Sequence, residues 1–551
     1  MSQIHFLVER ALRFRTELAR ISALQAMGAL TTLTLPWLAG QLLGGVVEAR
    51  IGSTSTIVLA LVALLILSTL FKISGAMVSA RTSAVILAQL RLDTYRKIQR
   101  LPMKFHNRSN QGELLSLMTY EISRLSDFLT NTIATVPAMV LTAAGAIVIL
   151  FVIDPLLALL IPILVPIFYI LLRFSGRKLR ANATKMRDAE TEVFNKAEMH
   201  LEMLSATKAF AVEDTQFDLY TAAIEDARRK SALNEQINSV ISPLVGLIAA
   251  LAALTVILLG GLQIGEGGRT PGELFSALLY AALLTRPIGQ MAELWGRLQL
   301  ARGTLARLQA VITLEPEQGY DRGLLPDTVR GALAFRDVHF SYPGRQVTLR
   351  GANLEIAAGE VIAITGENGA GKSTLVNLLL RFYDADQGQI TLDGTPIENL
   401  QVQALRRYIG YVPQRTMLFS GSLRENVVFG CPQASDEQIA EALRLSQAEA
   451  FVADLPKGLD TQIGDHGVRL SGGQCQRIAL TRALLLHPQI IIFDEATSMF
   501  DLENEALFVK AIKGALSGQT VIIITHRRAL LALADRIVKV VDGRFEEVAA
   551  S

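Results

Sequence analysis

Gly366-Glu367-Asn368-Gly369-Ala370-Gly371-Lys372-Ser373-Thr374 follows the apolar run Val361-Ile362-Ala363-Ile364 and leads into the helical pattern Leu375-Val376-Asn377-Leu378-Leu379-Leu380. The reading is a strand, a glycine-rich loop and a helix. Glycines let backbone N–H groups turn toward a polyphosphate, Lys372 reaches its β- and γ-phosphates, and the Ser373 hydroxyl is placed to ligate Mg²⁺, with the positive end of the helix behind them. The stretch 366–374 is therefore a candidate ATP cradle, and the rest of the chain is read for what it does with ATP.

Outward from this loop, 551 residues exceed what one core organises, so two or more units are expected. Half of the residues are hydrophobic and only 19% are charged, with the apolar ones concentrated before about residue 300. That pattern implies a membrane half followed by a soluble half. The net charge of +2 gives no reason to expect a nucleic-acid partner. Cys431 and Cys475 have neither metal-ligand spacing nor a disulfide framework, which suits a reducing compartment. Residues 1–16 carry charge and no cleavage signature, so no cleaved signal peptide is expected.

Six apolar segments, each about 20 residues, are long enough to cross a bilayer, near 18–43, 56–79, 132–153, 155–174, 240–262 and 272–294. The connection between spans two and three holds basic residues from Arg81 to Arg124, and that between spans four and five holds ten more from Arg177 to Lys230. The opposite connections carry little beyond Arg50 and Arg269, so the long connections, both termini and the ATP site are expected in the cytoplasm, and Asp154-Pro155 in a tight turn on the far side. Leucine and isoleucine recur at helical spacing in the long connections, which predicts membrane helices continuing as levers. Breaks at 107–112 and 211–218 are either lever tips touching the ATP-binding half or ordinary turns. Prolines within or at the ends of spans (Pro36, Pro137, Pro162, Pro166, Pro243, Pro287) are either working kinks or static ones. Arg286, Glu293 and Arg297 at the end of span six are pathway candidates, or lie on a helix already in water.

The ATP-binding half is expected over 333–551, after a transmembrane part at 1–320 and a polar linker at 321–332. Leu333 to Phe340 alternates as a strand, and Tyr342 beyond it is either a ring that stacks on adenine or a strand-end tyrosine at a turn. Ile490-Ile491-Ile492-Phe493-Asp494-Glu495 reads as a buried parallel strand delivering two carboxylates to the sheet edge where the phosphate loop lies. Asp494 is the candidate Mg²⁺ ligand and Glu495 the candidate for polarising the attacking water. A second apolar strand, 520–525, delivers His526 to the same edge, within reach of the γ-phosphate or its water. Gln414 is a candidate Mg²⁺ or water contact. Leu470-Ser471-Gly472-Gly473-Gln474 precedes a helix and makes a second anion site, spare within one chain, which suggests an ATP shared between two chains.

The order of Tyr342, phosphate loop, Gln414, Leu-Ser-Gly-Gly-Gln, Asp494-Glu495 and His526 closely resembles the ATP-binding domain of ABC transporters. With six spans ahead of it, the whole chain resembles a half-size ABC exporter of the bacterial lipid-flippase and multidrug type. The resemblance implies a multidomain fold, an all-α six-helix transmembrane domain followed by an α/β phosphate-loop ATP-binding domain. It implies a multi-pass protein of the bacterial inner membrane that hydrolyses ATP to export an amphipathic or hydrophobic substrate. It also implies a homodimer, or a pairing with a homologous half-transporter, in which ATP lies between one subunit's phosphate loop and the other's Ser471-Gly472-Gly473-Gln474. The two breaks in the long connections would then be coupling helices. Two departures stand out: Ser498-Met499-Phe500-Asp501 after Glu495, and Cys475 where the family commonly has arginine. Lipid, peptide and drug-like substrates stay open. The other class of reading is an ATP-gated channel, against which Glu495 together with His526 favours turnover.

Overall fold

A computed structural model describes residues 14–47, 51–109, 111–155, 161–265, 270–344, 347–464, 467–497, 505, 509, 516 and 518–548. The chain divides into two compact units: Met1–Tyr95 with Leu115–Ile312, and Arg96–Leu114 with Thr313–Ser551.

In the first unit the described residues form long helices at Arg15–Val47, Ile51–Gln99, Gly112–Ile153, Ile161–Glu202, Glu213–Gly265 and Pro271–Ile312. The first three are long and apolar enough to cross a membrane, and Pro271–Leu284 is a shorter apolar helix. Pro36, Pro166, Pro243 and Pro287 lie inside helices. Pro137 opens the segment Val136–Ile153, which ends where Asp154 turns extended.

Away from water, helices associate through close packing and interhelical hydrogen bonds rather than the hydrophobic effect. Accordingly Ser79 Oγ donates to Asn131 Oδ1 at 2.7 Å, and the hydroxyls of Ser83 and Ser126 meet at 3.1 Å. Between the first and last helices, Tyr280 Oη donates to the Leu33 carbonyl (2.7 Å) and Ser276 Oγ to the Pro36 carbonyl (3.0 Å). At the same crossing a Cβ on Gly40 would stand 2.4 Å from the Gly272 carbonyl oxygen. Outward-facing Leu59, Ile66, Leu70 and Ile73 stay exposed, as lipid-facing side chains do. The helix Gly112–Ile153 is interrupted by π turns at Leu117–Glu121 and Phe128–Thr132 and a 3₁₀ turn at Ile133–Thr135.

The second unit carries β1 (Leu333–Ser341), β2 (Val347–Ile356), β3 (Val361–Gly366), β4 (Gln387–Leu392), β5 (Thr395–Pro396), β6 (Ile409–Val412), β7 (Gly421–Ser422), β8 (Gln462–Ile463), β9 (Ile490–Asp494), β10 (Thr520–Ile524), β11 (Arg536–Val541) and β12 (Arg544–Val548). Its main sheet runs β12-β11-β3-β10-β9-β6, parallel except for β12, and a second, antiparallel sheet runs β2-β1-β4-β5. Every residue of β9 and β10 is buried, which is why both read as unbroken apolar runs. The polar stretch after Gly319 is stitched to this unit: Leu324 N donates to Asn399 O, and Arg330 N and Ala332 N donate to the Asp393 carboxylate.

The segment Arg96–Leu114 also belongs here. It forms a short helix, Met103–His106, capped by Asn107, and Asn107 Nδ2 donates to Tyr383 Oη at 2.7 Å. Arg100 pairs with Asp321 at 3.2 Å and lies over the Tyr320 ring. The first break is thus a lever tip in contact with the ATP-binding body. The second, between Leu204–Ala209 and Glu213–Gly265, turns at Ala211 and stays with the first unit, leaving Phe210 and Phe217 exposed.

Candidate nucleotide site

β3 ends at Gly366, whose φ of 147° and whose 2.7 Å approach of a would-be Cβ to the Val540 carbonyl both require glycine. The loop then passes through left-handed Gly369 and Gly371 into the helix Lys372–Leu379. Lys372 is buried, and its Nζ donates to the carbonyls of Gly366 (2.7 Å) and Glu367 (2.9 Å), which folds the lysine back across its own loop. Ser373 is exposed and faces a cleft of about 1140 Å³ lined by Tyr342, Arg350, residues 367–374, Gln414, Asp494, Glu495, His526 and 539–543.

The parallel strands deliver the acidic pair as their register requires, since Ile524 of β10 stands beside Asp494 of β9. Asp494 is buried, and its Oδ2 accepts from Tyr411 Oη at 3.4 Å. Burial pushes its carboxyl above the usual carboxylate range; the Tyr411 hydrogen bond opposes this, Glu495 adds to it and Lys372 counters it. Burial, with the Asp494 charge added, also lifts the Tyr411 phenol well above its ordinary range. Glu495 takes a left-handed backbone (φ 50°) and is held at both oxygens, Oε2 accepting from Gln414 Nε2 and Oε1 lying 2.9 Å from His526 Nε2.

Tyr342 lines the cleft as a tethered ring. Asn377 Nδ2 donates to its hydroxyl at 2.8 Å, and its ring packs edge-on against Phe340 and Tyr383. Ser471 and Gln474, by contrast, do not line this cleft. They close a capping box on the helix Gly472–Leu485, Ser471 Oγ accepting from Gln474 N and Gln474 Oε1 from Ser471 N. Cys475 follows, its Sγ 3.9 Å from the Leu470 carbonyl and its thiol raised by burial. Ser498 to Asp501 lie outside the described residues, as do the side chains of Arg286 and Glu293. Sequence reading gave Tyr411 and Arg350 no role. Only the β6–β9 pairing brings Tyr411 beside Asp494.

A phosphate loop, an acidic strand end and a strand-end histidine around one cleft, in a chain with a helical membrane bundle, define a membrane-borne phosphate-loop ATPase. A model of the ABC transporter transmembrane region matches residues 21–288, and the ABC transporter model matches 349–498. The ATP-dependent lipid A-core flippase of Syntrophus aciditrophicus is 32% identical over 467 residues, covering 84% of this chain and 77% of the flippase. The mouse mitochondrial ATP-binding cassette sub-family B member 10 is 33% identical over 84% of this chain, which spans 66% of that relative's length. A solved bacterial Atm1-family ABC exporter with ATP bound superposes with a TM-score of 0.87 at 25% identity, covering 97% of this chain and 95% of the other. The chain belongs to the ABC transporter family: it is an integral membrane protein with a transmembrane region and one ATP-binding, ATP-hydrolysing cassette in a single polypeptide.

Proposed function

We propose that the chain is a half-transporter that pairs with a second copy of itself and exports an amphipathic substrate by alternating access, with its ATP-binding unit in the cytoplasm of a bacterial inner membrane. The observation that carries this is the split of the machinery. One cleft gathers Tyr342, the phosphate loop, Gln414, Asp494, Glu495 and His526 while Ser471-Gly472-Gly473-Gln474 lies outside it. A second copy would complete the site by presenting those four residues to the bound ATP. The exposed Phe210 and Phe217 at the second lever tip suit a partner's surface.

In this reading the γ-phosphate takes over the Lys372 contacts now made to Gly366 and Glu367. Backbone N–H groups of Gly369, Ala370, Gly371 and Thr374 cradle the phosphates, with Glu367 and Asn368 at the loop's rim, and the tethered Tyr342 offers its face to adenine. The donor set fits Mg²⁺: an exposed Ser373 hydroxyl, the amide oxygen of Gln414, and an Asp494 carboxylate whose buried charge calls for a cation. Mg²⁺ there would neutralise the charge that develops on the phosphates. Glu495 polarises the attacking water, and His526, already on its carboxylate, holds it in line.

The test is a pair of variants in the purified chain. Glu495→Gln keeps shape and loses charge, so it binds ATP and closes the dimer but loses turnover by about 10²-fold or more. Lys372→Ala weakens ATP binding itself. Turnover in Glu495→Gln near the parent rate removes Glu495 from this role; a hydrolytically dead variant that still passes substrate down a gradient replaces the exporter with a channel.

A further inference from the structure

We propose that Asn377 is a positioning residue that makes the nucleotide cleft select for a base, by tying the Tyr342 ring to the helix that carries the phosphate loop. The proposal rests on the reading above that Tyr342 offers its face to adenine, and names what holds the ring there.

Asn377 stands out in its own helix. In Leu375-Val376-Asn377-Leu378-Leu379-Leu380 the five other side chains are apolar and buried, and Asn377 is the one polar residue. Asparagine is a poor helix former, and its amide costs free energy in apolar surroundings unless it is hydrogen-bonded. Here the amide has a partner: Nδ2 donates to Tyr342 Oη at 2.8 Å. Three residues earlier, on the same face of the helix Lys372–Leu379, Thr374 Oγ1 donates to that hydroxyl at 3.3 Å.

Tyr342 is the first residue past β1 and leads into a turn at Pro343 and Gly344. A tyrosine in such a place can change rotamer unless its far end is held. The two hydroxyl bonds hold it, and the near-perpendicular rings of Phe340 (4.8 Å) and Tyr383 (5.1 Å) support it at the side. Both hydroxyl donors sit on the helix that the phosphate loop opens, so the ring and the phosphate cradle are fixed to one element, at one reach from each other. Tyr342 and Thr374 line the cleft and Asn377 does not, so Asn377 acts on a nucleotide through the ring. A tethered ring stacks on a base already ordered, whereas a loose one loses rotamer freedom on binding. The tether therefore adds affinity for a ligand that carries a base and none for the polyphosphate alone.

The experiment measures dissociation constants of the full chain in lipid nanodiscs for ATP and for inorganic tripolyphosphate, with EDTA so that neither is turned over. Asn377→Leu should weaken ATP by about three- to tenfold, the size of one net hydrogen bond, and leave tripolyphosphate within a factor of about two. Asn377→Asp should keep the parent ratio of the two constants, because the phenol hydroxyl rotates to donate to the carboxylate. Adding Asn377→Leu to Tyr342→Phe, which has no hydroxyl left to tether, should cost nothing further. Equal weakening of both ligands would make Asn377 a support of the loop rather than of the ring, and overturns the proposal. So does parent affinity for ATP in Asn377→Leu, a ratio in Asn377→Asp as poor as in Asn377→Leu, or additive losses in the double variant. Tyr342→Ala separates this inference from the reading beneath it. If Tyr342→Ala binds ATP as tightly as the parent, the base platform itself falls; if it binds ATP weakly while Asn377→Leu matches the parent, only the tether falls.

Discussion

Glu495 sits in a backbone conformation that costs an L-residue about 1–2 kcal/mol, held by its N–H to the Ile524 carbonyl at 2.9 Å. The strain turns its carboxylate off the β9 line and into the cleft between Gln414 and His526. Sequence gave the residue and its edge of the sheet, because an apolar run ending in two acids has few other readings. It could not give the two-sided hold on the carboxylate, since Gln414 and His526 reach it from separate strand ends. Cys475 yields a pH prediction at this scale. Its thiol is raised by burial, so less thiolate is present at pH 7 than in a free thiol. Iodoacetamide should therefore modify Cys475 more slowly than a model peptide thiol at pH 7, with the rate still climbing above the pH where the peptide levels off, as read by mass spectrometry. Equal rates would contradict the burial.

Among elements, the crossing of Arg15–Val47 with Pro271–Ile312 depends on having no side chain at two points. A Cβ on Gly40 would stand 1.8 Å from Ser276 Oγ and 2.4 Å from the Gly272 carbonyl. Gly40→Ala must part these helices and stretch the hydroxyl bonds to Leu33 and Pro36, costing about 1–3 kcal/mol as overpacking does. Thermal unfolding in detergent should show the loss, with Gly44→Ala, where a Cβ meets nothing within 4 Å, as the neutral control. The long helices were legible because each carries a long, largely apolar stretch. Their crossings were not, since a glycine in such a run looks the same whether it faces lipid or a neighbouring backbone. The π turns were equally hidden: Leu117–Glu121 and Phe128–Thr132 contain neither glycine nor proline to mark a break.

For the whole molecule, a twofold pair predicts that cysteines placed at Ser373 and Ser471 crosslink between subunits, and more readily with ATP in an Glu495→Gln background. Products on non-reducing gels confined to single chains would refute the pairing. The unit boundaries are where sequence reading was least able to see. Composition placed the change from membrane to ATP-binding character near residue 320, yet Arg96–Leu114 lies with the second unit through single contacts such as Asn107 with Tyr383, 276 positions apart, which no periodicity reports. The polypeptide therefore passes between its two units three times, after Tyr95, Leu114 and Ile312. A peptide-bond cut after Ile312 should therefore leave residues 313–551 held to Arg96–Leu114 by contacts such as Asn107 with Tyr383, in a segment whose two ends both continue into the first unit.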